Sequence, residues 1–159
     1  MKILKKYKKQ TLFVFMLVVI ILFRTFILER IIISGDSMSP TLNNGNVVWA
    51  WKNPKLDRND IVIIKKDGTL YIKRIVGMPE ETVEIKNGKA YINGKELQEE
   101  FDEMESEEQK IHLKENEYFV LGDNRNDSTD SRVWGAIDKE EITGEIVFKF
   151  FPFWEMKEI

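Results

Sequence analysis

The sequence predicts a mainly β domain of antiparallel strands, preceded by one N-terminal transmembrane helix. The helix is predicted from a run of twelve apolar residues at 12–23. The sheet is predicted from short segments after residue 30 that are rich in β-branched and aromatic side chains and are separated by turn-forming dipeptides. The chain of 159 residues is long enough to bury one core and to form a single folded domain.

The apolar run is interpreted as an uncleaved membrane anchor that covers residues 11–28. As one helix from Leu12 to Leu28 it is about 25 Å long at about 1.5 Å per residue, and the hydrocarbon core of a bilayer is about 30 Å thick. Lysines precede the run, and Arg24 can extend its guanidinium to the lipid headgroups. A cleaved signal peptide has a similar pattern, but no A-x-A-like cleavage site follows.

The charge distribution predicts the orientation of the anchor. Residues 1–28 carry a net charge of +6 without a single acidic residue, whereas the remainder has 18 basic and 27 acidic side chains. The positive-inside rule therefore predicts that residues 1–10 form a cytoplasmic basic tail and that residues 29–159 lie on the extracytoplasmic side. The acidic folded part argues against nucleic acid as a partner.

Strand-like segments and hairpin turns alternate along the soluble part. Three dipeptides, Asp67-Gly68, Asn87-Gly88 and Asn93-Gly94, are typical of tight hairpin turns, because Asp, Asn and Gly tolerate positive φ. Segments this close together leave little room for crossover helices, which favours an antiparallel sheet. The acidic stretch 96–110 lacks strand character and is interpreted as an excursion or an edge insertion with a solvated face. The predicted strands are 46–51, 60–65, 69–76, 82–86, 117–121 and 144–150.

The composition restricts the chemistry. The chain has no cysteine, which excludes disulfides, thiolate-bound zinc and a cysteine nucleophile. The single histidine, His112, argues against a Ser-His-Asp triad and against a histidine metal site, and we assign it no role. We expect no metal and no cofactor. Any hydrolytic reaction must therefore use another base.

A serine and a lysine are candidates for such a reaction. Ser37 lies in a Gly/Ser/Pro-rich segment directly after the predicted anchor, although such a segment can also be a plain turn. Lys73 lies among the apolar residues of a predicted strand, where most lysines simply point to solvent. As a base, Lys73 would have to lower its pKa from about 10.4 to about 7, which corresponds to about 4.6 kcal/mol. Only burial, aided by the positive charge of Arg74, would supply this free energy.

A polar loop at 122–132 follows a predicted strand. Most of its side chains can form hydrogen bonds, which suits a network that positions another group, although a surface loop has a similar composition. Asp130 and Arg132 can pair, and Ser128 can form a hydrogen bond with a neutral amine.

Together these three segments resemble the motifs of bacterial type I signal peptidases, the leader peptidases of peptidase family S26. They occur in the same order behind one N-terminal anchor, and the resemblance extends from the anchor to Gly144. The motifs read Ser-Gly-Asp-Ser-Met-Ser-Pro-Thr-Leu at 34–42, Ile-Lys-Arg-Ile-Val-Gly-Met-Pro at 72–79 and Gly-Asp-Asn-Arg-Asn-Asp-Ser-Thr-Asp-Ser-Arg at 122–132.

The resemblance implies a membrane-anchored serine endopeptidase that removes signal peptides from exported preproteins with a Ser/Lys dyad. By motif position, Ser37 matches the nucleophile and Lys73 the general base. Ser128 matches the serine that orients the lysine, whereas Asp130 and Arg132 match the pair that braces the loop. The implied partners are signal peptides and the lipid bilayer of the bacterial cell membrane, without an obligate protein partner.

The resemblance also implies an antiparallel β catalytic core with a smaller β insertion, which we expect at about 81–114. Two positions depart from the pattern. Glu80 stands where the family usually has glycine, so that we expect a reshaped turn. Gly35 stands where some relatives have a hydroxyl that stabilises the oxyanion.

Other functions are compatible with the motifs. A self-cleaving repressor-type protease is disfavoured by the anchor and by the missing DNA-binding portion. A specialised pilus or conjugation peptidase uses the same Ser/Lys chemistry. A non-catalytic, membrane-tethered β domain that binds exported chains is a third alternative, but such a domain has no need of Ser37, Lys73 and Ser128 together.

Overall fold

The protein is mainly β, as predicted, and contains an eight-stranded and a four-stranded antiparallel sheet. This description comes from a computed structural model and covers residues 8, 10–20, 28–52, 54–98, 101, 105 and 107–159. The two sheets share one continuous chain, because the small sheet is inserted between two neighbouring strands of the large sheet.

The N-terminal apolar run is helical where it is described. Residues 10–20 form helix α1, and its apolar side chains are exposed, with Phe15 at 64%. None of the helices in the described part of the chain is long and apolar enough to cross a membrane. Residues 21–27 of the predicted anchor lie outside the described residues. Leu28, the last residue of the predicted anchor, pairs with Trp51 as the first residue of a strand.

The large sheet contains Lys73, and the other two predicted functional segments, 34–42 and 122–132, lie in connections between its strands. Its strand order is β1-β2-β11-β3-β4-β9-β10, and β12 pairs with β11. Strand β4 lies near the middle of this sheet, between β3 and β9, so that residues on its buried face are shielded by neighbours on both sides. The strands are β1 (Leu28–Ile32), β2 (Val47–Trp51), β3 (Ile61–Lys66), β4 (Thr69–Gly77), β9 (Glu117–Leu121), β10 (Ile137–Asp138), β11 (Ile142–Phe151) and β12 (Lys157–Glu158).

The small sheet lies within the segment expected to be an insertion. Its order is β7-β6-β5-β8, and Leu113 N donates to Glu81 O at 2.9 Å where the chain returns to the large sheet. The expectation that 96–110 lacks strand character is wrong at both ends, which belong to β7 and β8. Pairing with β5 partly buries Ile111, and this tertiary contact outweighs the weak local strand preference. The strands are β5 (Thr82–Lys86), β6 (Lys89–Ile92), β7 (Lys95–Glu96) and β8 (Gln109–His112).

The predicted turn dipeptides are hairpin turns in the structure. Asp67-Gly68 joins β3 to β4, Asn87-Gly88 joins β5 to β6, and Asn93-Gly94 joins β6 to β7. Both residues of each dipeptide have positive φ, between 50° and 80°, as the type I′ turn requires. These local signals set the register of the sheets.

The core of the large sheet reaches the segment around Ser37. Met38 and Leu42 are 2% and 0% exposed, and they pack with Val48 of β2, Ile61 of β3 and Ile146 of β11. Burial of two apolar side chains of this size contributes about 1.5–3 kcal/mol each. Because Met38 and Leu42 are anchored in the core, the chain next to them, including Ser37, is held in a fixed position on the sheet.

Candidate active site

Ser37 is positioned by its buried neighbour and by a turn. Met38 anchors the segment in the core, and Leu42 N donates to Met38 O at 2.8 Å. Ser39 N donates to Asp36 O at 2.9 Å across Ser37. Ser37 is consequently half-buried on a turn that these hydrogen bonds hold in place.

Lys73 lies on β4 and reaches Ser37 directly. Its side chain is 2% exposed, and Nζ donates to Ser37 Oγ at 2.8 Å and to Ile72 O at 2.9 Å. The two residues are 36 positions apart in the sequence, and the sheet brings their reactive atoms within hydrogen-bond distance.

Burial lowers the pKa of Lys73 from 10.5 to about 8. Loss of hydration is the largest cause, because it disfavours the ammonium form. The carboxylates of Asp130 and Asp123 oppose this effect, and the guanidinium of Arg132 adds to it. Arg74, from which the sequence led us to expect this positive charge, is instead paired with Asp123. About one-tenth of the amine is neutral at pH 7 with such a pKa.

Ser128 lies beside the dyad, but its hydroxyl forms no hydrogen bond with the amine. Ser128 lines the same surface depression as Ser37 and Lys73, and its Oγ is buried without a hydrogen-bond partner in the described part of the chain. Gly122 permits this close approach. A Cβ at Gly122 would lie 2.2 Å from Ser128 Oγ and 2.6 Å from Ser37 O, so that only glycine fits without a shift of the neighbouring atoms.

Asp130 and Arg132 form a buried bidentate pair. Asp130 is 0% exposed and accepts from Arg132 Nε and Nη2, both at 2.8 Å. It also accepts from Gly122 N at 3.0 Å, and it caps the short helix α2 (Ser131–Trp134) by accepting from Arg132 N. Arg132 Nη2 additionally donates to Ser128 O at 3.3 Å. This pair therefore holds the two ends of the loop 122–128 together.

Two residues of the polar loop, one that pairs with Arg74 and one that holds the serine segment, were not predicted from the sequence. Asp123 is 3% exposed and accepts from Arg74 Nε and Nη2 at 2.8 and 2.7 Å. Asn124 N donates to Ser37 O at 3.0 Å, and Asn124 Nδ2 donates to Asp36 O at 3.3 Å. Both residues lie in the polar loop that the sequence did single out, but their partners are far away in the chain.

Two open regions meet at the dyad. A cavity of about 290 Å³ lies on one side and is lined by the end of β1, by 34–38 and by the start of β4, with Ile33, Ile63 and Tyr71 among its residues. A more polar depression lies on the other side and includes Asp127 and Thr129. An extended peptide that crosses the dyad would therefore meet apolar walls on one side of Ser37 and polar groups on the other.

No metal site is formed by the described residues, because they contain no group of three or more His, Asp or Glu side chains with suitable geometry. The hydrogen bond between Lys73 Nζ and Ser37 Oγ permits proton transfer between the serine hydroxyl and the lysine amine, followed by nucleophilic attack.

Comparison with known proteins gives independent evidence on the family of this chain. A family model described as signal peptidase, peptidase S26, matches residues 5–151. The chain belongs to this family. Members similar to it include signal peptidase I S of Bacillus subtilis (strain 168), which is 39% identical over 88% of this chain and 86% of its own length. Signal peptidase I of Bacillus licheniformis is 37% identical over 94% of both chains.

A solved member of the family has a similar fold. The crystal structure of a signal peptidase I from Enterococcus faecalis V583 superposes with a TM-score of 0.52 at 30% sequence identity. The match covers 58% of this chain and 97% of that chain. The family resemblance noted in the three motifs is therefore confirmed.

Proposed function

We propose that this chain is a signal peptidase I that cleaves the signal peptides of exported preproteins with Ser37 as nucleophile and Lys73 as general base. The observation that carries the assignment is the 2.8 Å contact between Lys73 Nζ and Ser37 Oγ, formed by an amine that is 2% exposed. An exposed lysine would be almost fully protonated near neutral pH and unable to accept a proton.

The reaction has two stages. Neutral Lys73 accepts the proton of Ser37 while Oγ attacks the scissile carbonyl, and the resulting ammonium gives a proton to the leaving amine as the C–N bond breaks. A water molecule, deprotonated by Lys73, then attacks the ester and releases the signal peptide. The backbone N–H of Ser37 donates a hydrogen bond to the developing oxyanion.

The remaining site residues act by positioning. Asp130 and Arg132 keep the loop 122–128 closed, and Asn124 holds the Ser37 carbonyl. Ser128 provides a hydroxyl beside the amine, which can accept a hydrogen bond once Lys73 becomes an ammonium with three donors.

The apolar cavity selects the substrate. An extended segment before the scissile bond can lie as a strand between the end of β1 and the start of β4. The family resemblance implies small apolar side chains such as alanine at the first and third positions before the cut, and the apolar lining of the cavity, with Ile33 and Ile63, is compatible with such side chains.

The catalytic domain sits on the outer surface of the bacterial cell membrane, with residues 1–10 in the cytoplasm. Exposed aromatic residues near the C-terminus support this position, with Phe153 at 60% and Trp154 at 80% exposed. Trp51 is also exposed, at 40%, whereas Trp49 is half-buried within β2 and contributes less. Tryptophan favours the interface between lipid and water.

The assignment is tested by cleavage of a preprotein in detergent micelles, with the full chain and its Ser37→Ala and Lys73→Ala variants. Each variant is expected to lose at least about 10³-fold in kcat, because the dyad acts as a unit. Circular dichroism checks that both variants are folded. Near-normal turnover by Lys73→Ala would contradict the assignment of the base.

The same assay separates the alternative functions. Cleavage restricted to pilin-like or conjugation-specific substrates in a panel of preproteins would favour a specialised peptidase. Binding without cleavage by the folded wild type would favour the non-catalytic tethered domain.

A further inference from the structure

The acidic segment of the insertion contacts the loop beside the dyad. Phe101 is the only aromatic residue between 96 and 108. Its ring centroid lies 5.4 Å from Arg74 Cζ and 4.9 Å from Arg125 Cζ. A second contact is a hydrogen bond from Glu105 N to Asn126 Oδ1 at 2.8 Å. Distances below about 6 Å between a guanidinium and a ring centroid are those of a cation–π interaction.

Both arginines under this ring hold the beginning of the catalytic loop, which we define as residues 122–130. Arg74 forms the bidentate pair with Asp123. Arg125 is 3% exposed, and its Nε donates to Gly122 O at 3.1 Å. The ring of Phe101 thus contacts the two side chains that fix residues 122 and 123.

The beginning of the catalytic loop in turn contacts the dyad region. Gly122 lies against Ser128 and against the carbonyl oxygen of Ser37. One residue after Asp123, the backbone N–H of Asn124 donates to that same carbonyl. A displacement of residues 122–124 would consequently move the backbone of Ser37.

We propose that Phe101 is a positioning residue for the dyad, whose ring covers the guanidiniums of Arg74 and Arg125 and so holds the catalytic loop against Ser37. The small sheet then contributes to catalysis without contacting the substrate, because its acidic segment carries this ring. The inference rests on the proposed Ser37/Lys73 dyad.

The alternative is that Phe101 merely covers apolar surface. In that case leucine, which is also apolar but has no π face, would replace it without effect on catalysis. If the ring acts through the two guanidiniums, tyrosine replaces it and leucine does not. The two substitutions therefore distinguish the explanations.

The test compares preprotein cleavage by the full-length wild type with that by Phe101→Leu, Phe101→Tyr and Tyr91→Leu in detergent micelles. Tyr91 is the matched control, since it is a half-buried aromatic residue on β6 of the same insertion. Phe101→Leu is expected to lower kcat about tenfold and to change KM less than about twofold, because small displacements of reacting groups are costly. Phe101→Tyr and Tyr91→Leu are expected to stay within about twofold of wild type.

The pH dependence gives a second readout. Burial is the largest cause of the lowered pKa of Lys73. A loosened loop admits water to the amine, so that the rising limb of the pH profile of Phe101→Leu should move to higher pH. A Phe101→Leu enzyme with the kcat and pH profile of the wild type would overturn the inference, as would an equal loss of kcat in Tyr91→Leu.

Should Phe101→Leu fail to fold, as judged by thermal unfolding, Phe101→Met decides the matter. Methionine is unbranched and apolar and fills irregular gaps, but it has no π face to cover the guanidiniums of Arg74 and Arg125. A lower kcat supports the inference and an unchanged kcat overturns it. Full activity of Ser37→Ala would instead contradict the proposed function, on which all these outcomes depend.

Discussion

Two buried lysines of the large sheet show how the partner of an amine determines its role. Lys73 on β4 and Lys149 on β11 are 2% and 3% exposed. Lys73 Nζ donates to a hydroxyl and a carbonyl, whereas Lys149 Nζ donates to Glu155 Oε2 at 2.9 Å and to Thr41 O at 3.0 Å. A carboxylate offsets part of the lost hydration of a buried ammonium, and of these two amines only Lys149 has one within hydrogen-bond distance.

Both amines contact the same short segment of chain. Lys73 binds the side chain of Ser37, and Lys149 binds the backbone of Thr41 four residues later. One lysine is therefore suited to proton transfer, while the other holds the segment in place. Burial alone does not make a lysine a base.

The largest expected effect is on the free energy of unfolding, which two matched substitutions should change in opposite directions. Lys73→Met should stabilise the fold at pH 7 by about 1–3 kcal/mol, because removal of a charge whose pKa is lowered by burial from 10.5 to about 8 outweighs the loss of its hydrogen bond to Ile72 O. Lys149→Met should destabilise it by about 1–3 kcal/mol, because the partly buried carbonyl of Thr41 loses its donor. Urea unfolding of the three proteins measures both differences.

The stabilisation by Lys73→Met should depend on pH. Below pH 8 the amine is protonated in both the folded and the unfolded state, so that the full cost of its burial is present. Between pH 8 and 10.5 the folded wild type loses its proton first, and its stability rises towards that of the variant. A difference that stays constant across this range would contradict the assigned titration.

The next effect concerns activity and tests whether Lys73 acts as the neutral amine. Because burial lowers the pKa of Lys73 to about 8, kcat/KM should rise about tenfold per pH unit below pH 8 and level off above it. At pH 7 the rate should be about one-tenth of the plateau. A profile that is flat between pH 6 and 9 would show that another group is the base.

The smallest effect is expected at the partner of the structural lysine. Glu155→Gln removes the carboxylate next to Lys149, but Glu155 is 40% exposed, so that water replaces much of the lost interaction. We expect a loss of about 0.5 kcal/mol in unfolding free energy and unchanged kcat at saturating substrate. A loss as large as that of Lys149→Met would mean that the ion pair, rather than the bond to Thr41, fixes the segment.

Local patterns in the sequence predicted the features that depend on neighbouring residues. The turn dipeptides and most strands of the large sheet follow directly from side-chain preferences. Strand β1 was missed because Leu28 continues the apolar run of the predicted anchor. The turn after Pro79 was expected to be reshaped by Glu80, but Glu80 itself adopts a φ of 63°, the conformation for which glycine is favoured.

Features that depend on distant pairs were beyond the reach of one sequence. The motifs indicated Ser37 and Lys73, but the pairing of Arg74 with Asp123 joins residues 49 positions apart. In the sequence, Lys149 looks like an ordinary lysine on a strand whose amine points to solvent, so that its burial was not predicted. Phe101 is surrounded by acidic residues in the sequence, and only the fold brings it to two arginines.

The bond between Lys149 and Thr41 has a consequence for protein engineering. The segment 150–156 contains several exposed aromatic residues. A shortened enzyme that ends before this segment would be attractive for crystallisation, because it would adhere less to detergent. Such a truncation would also remove Glu155, so that Lys149 would be left as a lone cation beneath the segment that carries Ser37. Polar replacements of Phe153 and Trp154 within the intact chain would reduce adhesion and leave this attachment undisturbed.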